Sequence, residues 1–80
     1  MNISEEIRLE RGRQDAKWGR DSIIHRTAEA GYRVLGEEVG EVAKAINERD
    51  RNGLRRELIQ VAAVAVAILE ALEAGAELVK

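Results

Sequence analysis

The sequence contains no cysteine and no proline, and its only aromatic residues are one tryptophan and one tyrosine. The lack of cysteine excludes disulfide bonds, thiolate metal sites and cysteine nucleophiles. With so few aromatic residues, the chain has no stacking platform for single-stranded nucleic acid, and without proline it has no proline-built turn. We therefore expect a fold held by packing alone, in a reducing, cytoplasmic location.

Charge and hydropathy exclude two further classes of protein. Thirteen basic and fifteen acidic side chains give a net charge of -2, so no overall positive field draws the chain to nucleic acid. No run of 18 or more residues is continuously apolar, which argues against a membrane span. The segment Met1 to Glu10 is acidic rather than basic and apolar, so we expect no signal peptide. The 80 residues predict one soluble domain, 1–80, with neither nucleic acid nor membrane as partner.

Local signals predict three helices. The first should run from about residue 4, with Ser4 as its N-cap, to Lys17, and end at Trp18-Gly19. A loop should follow from Arg20 to Arg26. Thr27 is the predicted N-cap of the second helix.

Turn signals divide the second helix from the third. The second helix should end near Arg49, and Asp50-Arg51-Asn52-Gly53 predicts a tight turn between helices. The third helix should fray around Gly75.

Apolar residues recur every three or four positions in both long helices, which indicates one buried face on each. In the second helix this stripe comprises Ala28, Tyr32, Leu35, Val39, Val42 and Ile46. In the third helix it comprises Leu54, Leu58, Val61, Ala65, Ile68 and Leu72. Two matched stripes joined by a short turn predict an antiparallel hairpin, so the fold class is all-α: a helical hairpin plus an N-terminal helix.

Two features of these helices point to neighbours outside the hairpin. Val61 to Leu69 has no polar side chain, so one partner helix cannot cover it. The first helix should cover one more face, and another subunit the rest, which predicts an oligomeric helix bundle.

In the second helix Gly36, Gly40, Ala43 and Asn47 form another ridge, for which close approach of a helix and room for a ligand both remain open.

Carboxylates flank the two stripes. Glu38 lies beside the stripe of the second helix, with Glu41 one turn along, while Glu57 and Gln60 hold the matching border of the third. Packed stripe to stripe, the four would line one groove. Clustered carboxylates repel each other unless a cation joins them, and magnesium prefers oxygen ligands, whereas the single His25 argues against zinc. An ordinary solvated helix face is the alternative.

These motifs resemble a known family. Glu37-Glu38-Val39-Gly40-Glu41, followed after fifteen residues by Glu57-Leu58-Ile59-Gln60, resembles the pattern E-E-x-x-E … E-x-x-D of the MazG-like nucleoside triphosphate pyrophosphohydrolases. The tract Arg13-Gln14-Asp15-Ala16-Lys17-Trp18-Gly19 looks like the opening of small members. The resemblance implies an all-α bundle assembled as a homo-oligomer, either a dimer or a tetramer. It also implies hydrolysis of nucleoside triphosphates between the α and β phosphates, giving monophosphate and pyrophosphate.

The resemblance also implies roles for individual residues. Glu38, Glu41 and Glu57 would be the catalytic carboxylates and would bind Mg²⁺, with Mn²⁺ as a possible substitute. The aspartate of the family pattern falls on Gln60, which offers magnesium an oxygen without a negative charge. The expected substrate contacts are Lys17, Trp18 and Arg20, although a lone tryptophan and exposed basic residues also occur without a functional role.

Two other functions fit the same sequence. Gln60 in place of the aspartate is compatible with a nucleotide- or metal-binding protein that has lost catalysis. A purely structural oligomerisation module would carry the same apolar stripes. Release of pyrophosphate and a metal-dependent melting temperature distinguish the three.

Overall fold

In a computed structural model, which describes residues 1–19 and 27–78, the chain folds into helices without any strand in those segments. The helices are α1 (Ile3–Trp18), α2 (Ala28–Asn47) and α3 (Arg51–Glu73). The predicted all-α class is therefore confirmed. In the same two segments, no helix has the length and apolar character needed to cross a membrane. The predicted loop Arg20 to Arg26, which includes His25, lies outside the described residues.

The N-cap of α1 is Asn2, so the prediction of Ser4 is wrong. The Asn2 side-chain oxygen accepts a hydrogen bond from the backbone N–H of Glu5 at 2.8 Å, which leaves Ser4 inside the helix. At the other end the prediction of Trp18-Gly19 is confirmed. Gly19 has a φ of 79°, and its N–H donates to the carbonyl of Asp15 at 2.8 Å. A positive φ is easiest for glycine, which explains why the helix stops there.

The caps of the other two helices are formed by side chains that accept from the first turn. Thr27 accepts from the N–H of Ala30 at 3.0 Å, as predicted. The predicted turn Asp50–Gly53 is wrong, because Asp50 accepts from the N–H of Gly53 at 2.8 Å and α3 already begins at Arg51. A Cβ atom on Gly53 would collide with the Asp50 carboxylate, so this cap favours glycine at that position.

Helix α3 is the central element, since both α1 and α2 pack against it. The start of α2 meets the segment after α3, where the N–H of Ala28 donates to the carbonyl of Leu78 at 3.2 Å. The two helices are therefore antiparallel, and the predicted hairpin is confirmed.

The hairpin closes through small side chains. Ala63, Val64 and Ala67 of α3 have 0% exposure, and Ala30 and Ala45 of α2 are buried as well. Alanines let the two helix backbones approach closely. The hairpin contact therefore includes buried alanines that lie outside the two stripes.

Half of the large apolar residues of the stripes remain exposed in the single chain. Between 47% and 75% of the surface of five of them is exposed in the single chain. We call these five the hairpin apolar face: Tyr32, Val39, Ile46, Leu58 and Leu72. Ile46 and Leu54 line one cavity at the turn, which joins the two stripes into a single surface.

Helix α1 packs on α3 through polar side chains. Arg11 is buried and donates to Glu70 at 2.7 Å and to Asp15 at 2.9 Å. Nearer the N-terminus, Glu6 pairs with Arg55, whose Nη1 lies 2.7 Å from Oε1 of Glu6. Because early residues of α1 meet early residues of α3 and later ones meet later ones, the two helices run in the same direction. The prediction that the first helix covers a face of the third is confirmed.

The glycine ridge of α2 is open within this chain. Apart from the adjoining backbone of α2 itself and the two chain neighbours, no atom among the described residues lies within 4 Å of a Cβ built on Gly36 or on Gly40. Close approach of a neighbouring helix is therefore not found in residues 1–19 and 27–78, and the ridge faces away from the hairpin contact.

Candidate active site

Glu38 lies in the middle of the face that α2 turns toward α3. Gly31 and Ala45 are each seven residues from Glu38, two turns away on the same side of the helix, and both are buried. Glu38 itself is half-buried, whereas its neighbour Glu37 is exposed. The sequence predicted Glu38 at the border of an apolar stripe, but it occupies the helix contact itself.

Three helices contribute to the electrostatic environment of Glu38. Burial raises the pKa of the Glu38 carboxyl, and the negative charges of Glu57 and Glu41 raise it further. From α1, Lys17 opposes this rise in pKa, while Glu10 adds to it. Glu38 therefore interacts electrostatically with both of the other glutamates selected from the sequence.

One oxygen of Glu38 has no hydrogen-bond partner in the described part of the chain. This atom, Oε2, is buried from solvent. A buried carboxylate oxygen without a donor is costly, since it has lost water and gained nothing in return. A cation or a donor placed beside it would remove that cost.

The other residues of the predicted site lie near the contact between α2 and α3 in which Glu38 takes part. Glu41 and Glu57 line one small cavity of about 130 Å³. Gln60 is half-buried on the same side of α3 as Val64 and Ala67, at four and seven residues along the helix. Gln60 therefore belongs to the interior face of α3.

The carboxylates do not converge tightly. Across residues 1–19 and 27–78, no three side chains among aspartate, glutamate and histidine come close enough together to hold a metal ion. Glu41 is exposed, so its side chain is free to change rotamer. The arrangement places Glu41 and Glu57 near enough to influence the charge of Glu38, but it does not form a closed cluster of ligands.

Two of the three predicted substrate residues lie at the end of α1. Lys17 Nζ is 5.5 Å from the centroid of the Trp18 ring, within the range of a cation–π contact. Lys17 is exposed and Trp18 is half-buried. The third residue, Arg20, lies outside the described part of the chain.

Sequence reasoning missed Glu10. It is half-buried on α1, accepts a hydrogen bond from Arg13 Nε at 2.8 Å, and is one of the charges that act on Glu38. A signal for it was present, because Glu10, Gln14 and Lys17 share one side of α1 at helical spacing.

Comparison with known proteins assigns the family. A family model described as the MazG nucleotide pyrophosphohydrolase domain matches residues 26–78. The matched segment contains α2 and α3 with both acidic motifs, while α1 precedes it. Searches of curated proteins and of solved structures found no match. Because the family model covers more than half of the sequence, this chain belongs to the MazG nucleotide pyrophosphohydrolase domain family.

Proposed function

We propose that the protein is a Mg²⁺-dependent nucleoside triphosphate pyrophosphohydrolase. In this reaction one water molecule is consumed, the bond between the α and β phosphates breaks, and a nucleoside monophosphate and pyrophosphate are released. The observation that carries the proposal is the buried, unpartnered Oε2 of Glu38, which lies on a helix contact near two further carboxylates in the segment that matches the family.

Glu38, Glu41 and Glu57 are the residues proposed to hold the metal ion. Their mutual repulsion and the unpaired oxygen of Glu38 both disappear when a cation binds. Gln60 offers an uncharged amide oxygen from the neighbouring turn of α3. When bound, magnesium neutralises phosphate charge and lowers the pKa of a water molecule.

Lys17 and Trp18 are proposed to bind the substrate. The Lys17 ammonium is exposed and lies near enough to affect Glu38, so it can pair with a phosphate held at the same site. The Trp18 ring offers a flat surface on which a base can stack. Arg20 is proposed as a further phosphate contact from the sequence alone.

The working form of the protein is proposed to be a homo-oligomer, either a dimer or a tetramer. The hairpin apolar face is broad, and exposed apolar patches of this kind mark protein contacts. A second copy of the chain supplies a matching surface, because a twofold interface uses the same patch on both subunits.

Pyrophosphate release tests the proposed function. With magnesium and a mixture of nucleoside triphosphates, the wild-type protein should release pyrophosphate. Glu57→Gln should lower the rate on the order of 100-fold, the scale of losing one electrostatic stabiliser. The matched control is Glu37→Gln, which removes the same charge from an exposed position beside Glu38 and should leave the rate unchanged. No release from any triphosphate would contradict the proposal.

Gln60 favours a second candidate function, in which the protein binds metal or nucleotide without turnover. Gln60→Asp adds a carboxylate to the interior face of α3, so Mg²⁺ should bind about tenfold more tightly and pyrophosphate release should rise. Calorimetry of Mg²⁺ binding together with a pyrophosphate assay measures both effects.

The control for this change is Asn47→Asp, which adds the same charge on an exposed position of α2 and should alter neither quantity. A wild-type protein without turnover that gains it through Gln60→Asp would support the second candidate. Unchanged Mg²⁺ affinity in a folded Gln60→Asp protein would show that Gln60 does not contribute to the metal site.

A further inference from the structure

A second cleft lies between the N-terminal halves of α1 and α3. Its volume is about 420 Å³, within the range of small-ligand pockets, which is roughly 300–1,000 Å³. Three arginines line it: Arg13 from α1, and Arg55 and Arg56 from α3. Among the described residues, Glu6 is the only acidic side chain that lines it, so this part of the lining carries more positive than negative side chains.

The arginines of this cleft keep donors available for a ligand. Arg55 is paired with Glu6, and Arg13 donates through Nε to Glu10 at 2.8 Å. Arg56 Nε is 3.9 Å from Oε1 of Glu57, too far for a hydrogen bond. All three arginine side chains are more than half exposed, so their guanidinium groups remain accessible to a ligand from solvent.

Other features of the cleft also suit an anion. Asn52 lines it from the first turn of α3, a helix that carries no acidic residue in that turn. The Asp50 carboxylate already caps this end of α3 by accepting from the N–H of Gly53, so the cleft depends on its side chains rather than on the helix terminus. Leu9 and Ile59 form apolar walls that exclude part of the water. Guanidinium groups in such surroundings bind phosphate in a bidentate manner.

Arg56 connects this cleft with the candidate active site. It lines the 420 Å³ cleft and also the small cavity that Glu41 and Glu57 share. A phosphate chain held by the three arginines would therefore extend from the carboxylates of the proposed metal site into the cleft.

We propose that the arginine cleft binds an oligophosphate: the β and γ phosphates of the nucleotide before cleavage, and pyrophosphate after it. This role in the reaction rests on the proposed function. Binding of free pyrophosphate does not, since it depends on Arg13, Arg55 and Arg56 rather than on Glu38, Glu41 and Glu57.

Calorimetry with inorganic pyrophosphate in EDTA tests the cleft directly. The wild-type protein should bind pyrophosphate, and Arg56→Gln and Arg13→Gln should each weaken binding about tenfold, because each removes one charged pair worth about 1.4 kcal/mol. Arg8→Gln, which removes an exposed arginine of α1 that does not line the cleft, should bind as the wild type does. A nucleoside monophosphate, which lacks the β and γ phosphates, should bind weakly and be unaffected by Arg56→Gln.

The outcomes separate this inference from the proposed function. Pyrophosphate binding that depends on Arg56, in a protein that hydrolyses no triphosphate, would support the cleft and contradict the proposed function. Hydrolysis with equal pyrophosphate binding in Arg56→Gln and Arg8→Gln would overturn the cleft alone. Absence of pyrophosphate binding in the wild-type protein would also overturn it. Melting curves of both variants confirm that the comparison is made on folded chains.

Discussion

Glu38→Gln is expected to raise the melting temperature of the metal-free protein and to abolish the further rise that Mg²⁺ produces in the wild type. Without metal, the Glu38 charge is partly buried, repelled by Glu57 and Glu41, and left with an unpaired oxygen. Glutamine has the same shape without the charge, so it removes the repulsion and the cost of burying the charge. With metal, the same change removes a ligand.

The raised pKa of Glu38 makes the free energy of unfolding of the metal-free protein depend on pH in a defined direction. Because the pKa of Glu38 is raised above its ordinary value of 4.5, the folded chain binds this proton more tightly than the unfolded chain does. The free energy of unfolding therefore decreases as the pH rises from 4.5 through the raised pKa, and the cost is fully present above it. Glu38→Gln should remove this part of the pH dependence in the metal-free protein.

Thermal melts with and without Mg²⁺ measure both effects. At a concentration 100-fold above Kd, metal binding stabilises the folded state by about 2.7 kcal/mol. For a domain of this size that corresponds to a rise of roughly 10–20 °C. Glu37→Gln should respond to Mg²⁺ as the wild type does. Equal metal responses in Glu38→Gln and Glu37→Gln would mean that Glu38 does not bind the ion.

Leu58→Glu is expected to dissociate the proposed homo-oligomer into single chains of 8.9 kDa. Leu58 is about half exposed in the single chain, so the substitution leaves the internal core intact. In a twofold interface each substitution occurs twice, and each buried carboxylate without a partner costs several kcal/mol. Sedimentation or light scattering should give the wild type a mass at least twice that of the variant.

Ile3→Glu serves as the control for this prediction. Ile3 is an exposed apolar residue of α1, whereas the hairpin apolar face belongs to α2 and α3. Its replacement adds the same charge and should leave the assembly unchanged. A wild-type protein that stays monomeric at micromolar concentration, or a Leu58→Glu variant that remains assembled, would contradict the prediction.

The helix boundaries at Gly19 and Thr27 were predictable because their signals are local, whereas the caps Asn2 and Asp50 were missed because Ser4 and Gly53 offer competing local signals. Thr27 and Gly19 act within one turn of their own positions, and both were identified correctly. The residues that form the hairpin contact were not predicted. The helical period shows which apolar residues share one face of a helix, but it does not show what packs on that face. Large residues such as Tyr32 and Leu58 dominated the pattern, while the contact is made by alanines that allow closer approach.

In the candidate site, too, residues related by local spacing were predicted, and a residue placed by contacts between distant parts of the sequence was missed. The spacing of Glu38, Glu41 and Glu57 within two helices predicted that they would interact, and each of the latter two raises the pKa of Glu38. Glu10 was not predicted, because its place depends on how α1 docks on α3. That docking is made by the pairs of Arg11 with Glu70 and of Arg55 with Glu6, which join residues far apart in sequence.

The polar attachment of α1 makes this helix respond to ionic strength in a graded way. The Glu6–Arg55 pair near its N-terminus is partly exposed and easily screened by dissolved ions, whereas Arg11 is buried and screened far less. We therefore expect added salt to loosen the first turns of α1 before the turn that carries Arg11. Between α2 and α3 the described residues form no attractive ion pair, and salt screens the repulsion of Glu38 by Glu57, so the hairpin should stay closed while α1 loosens.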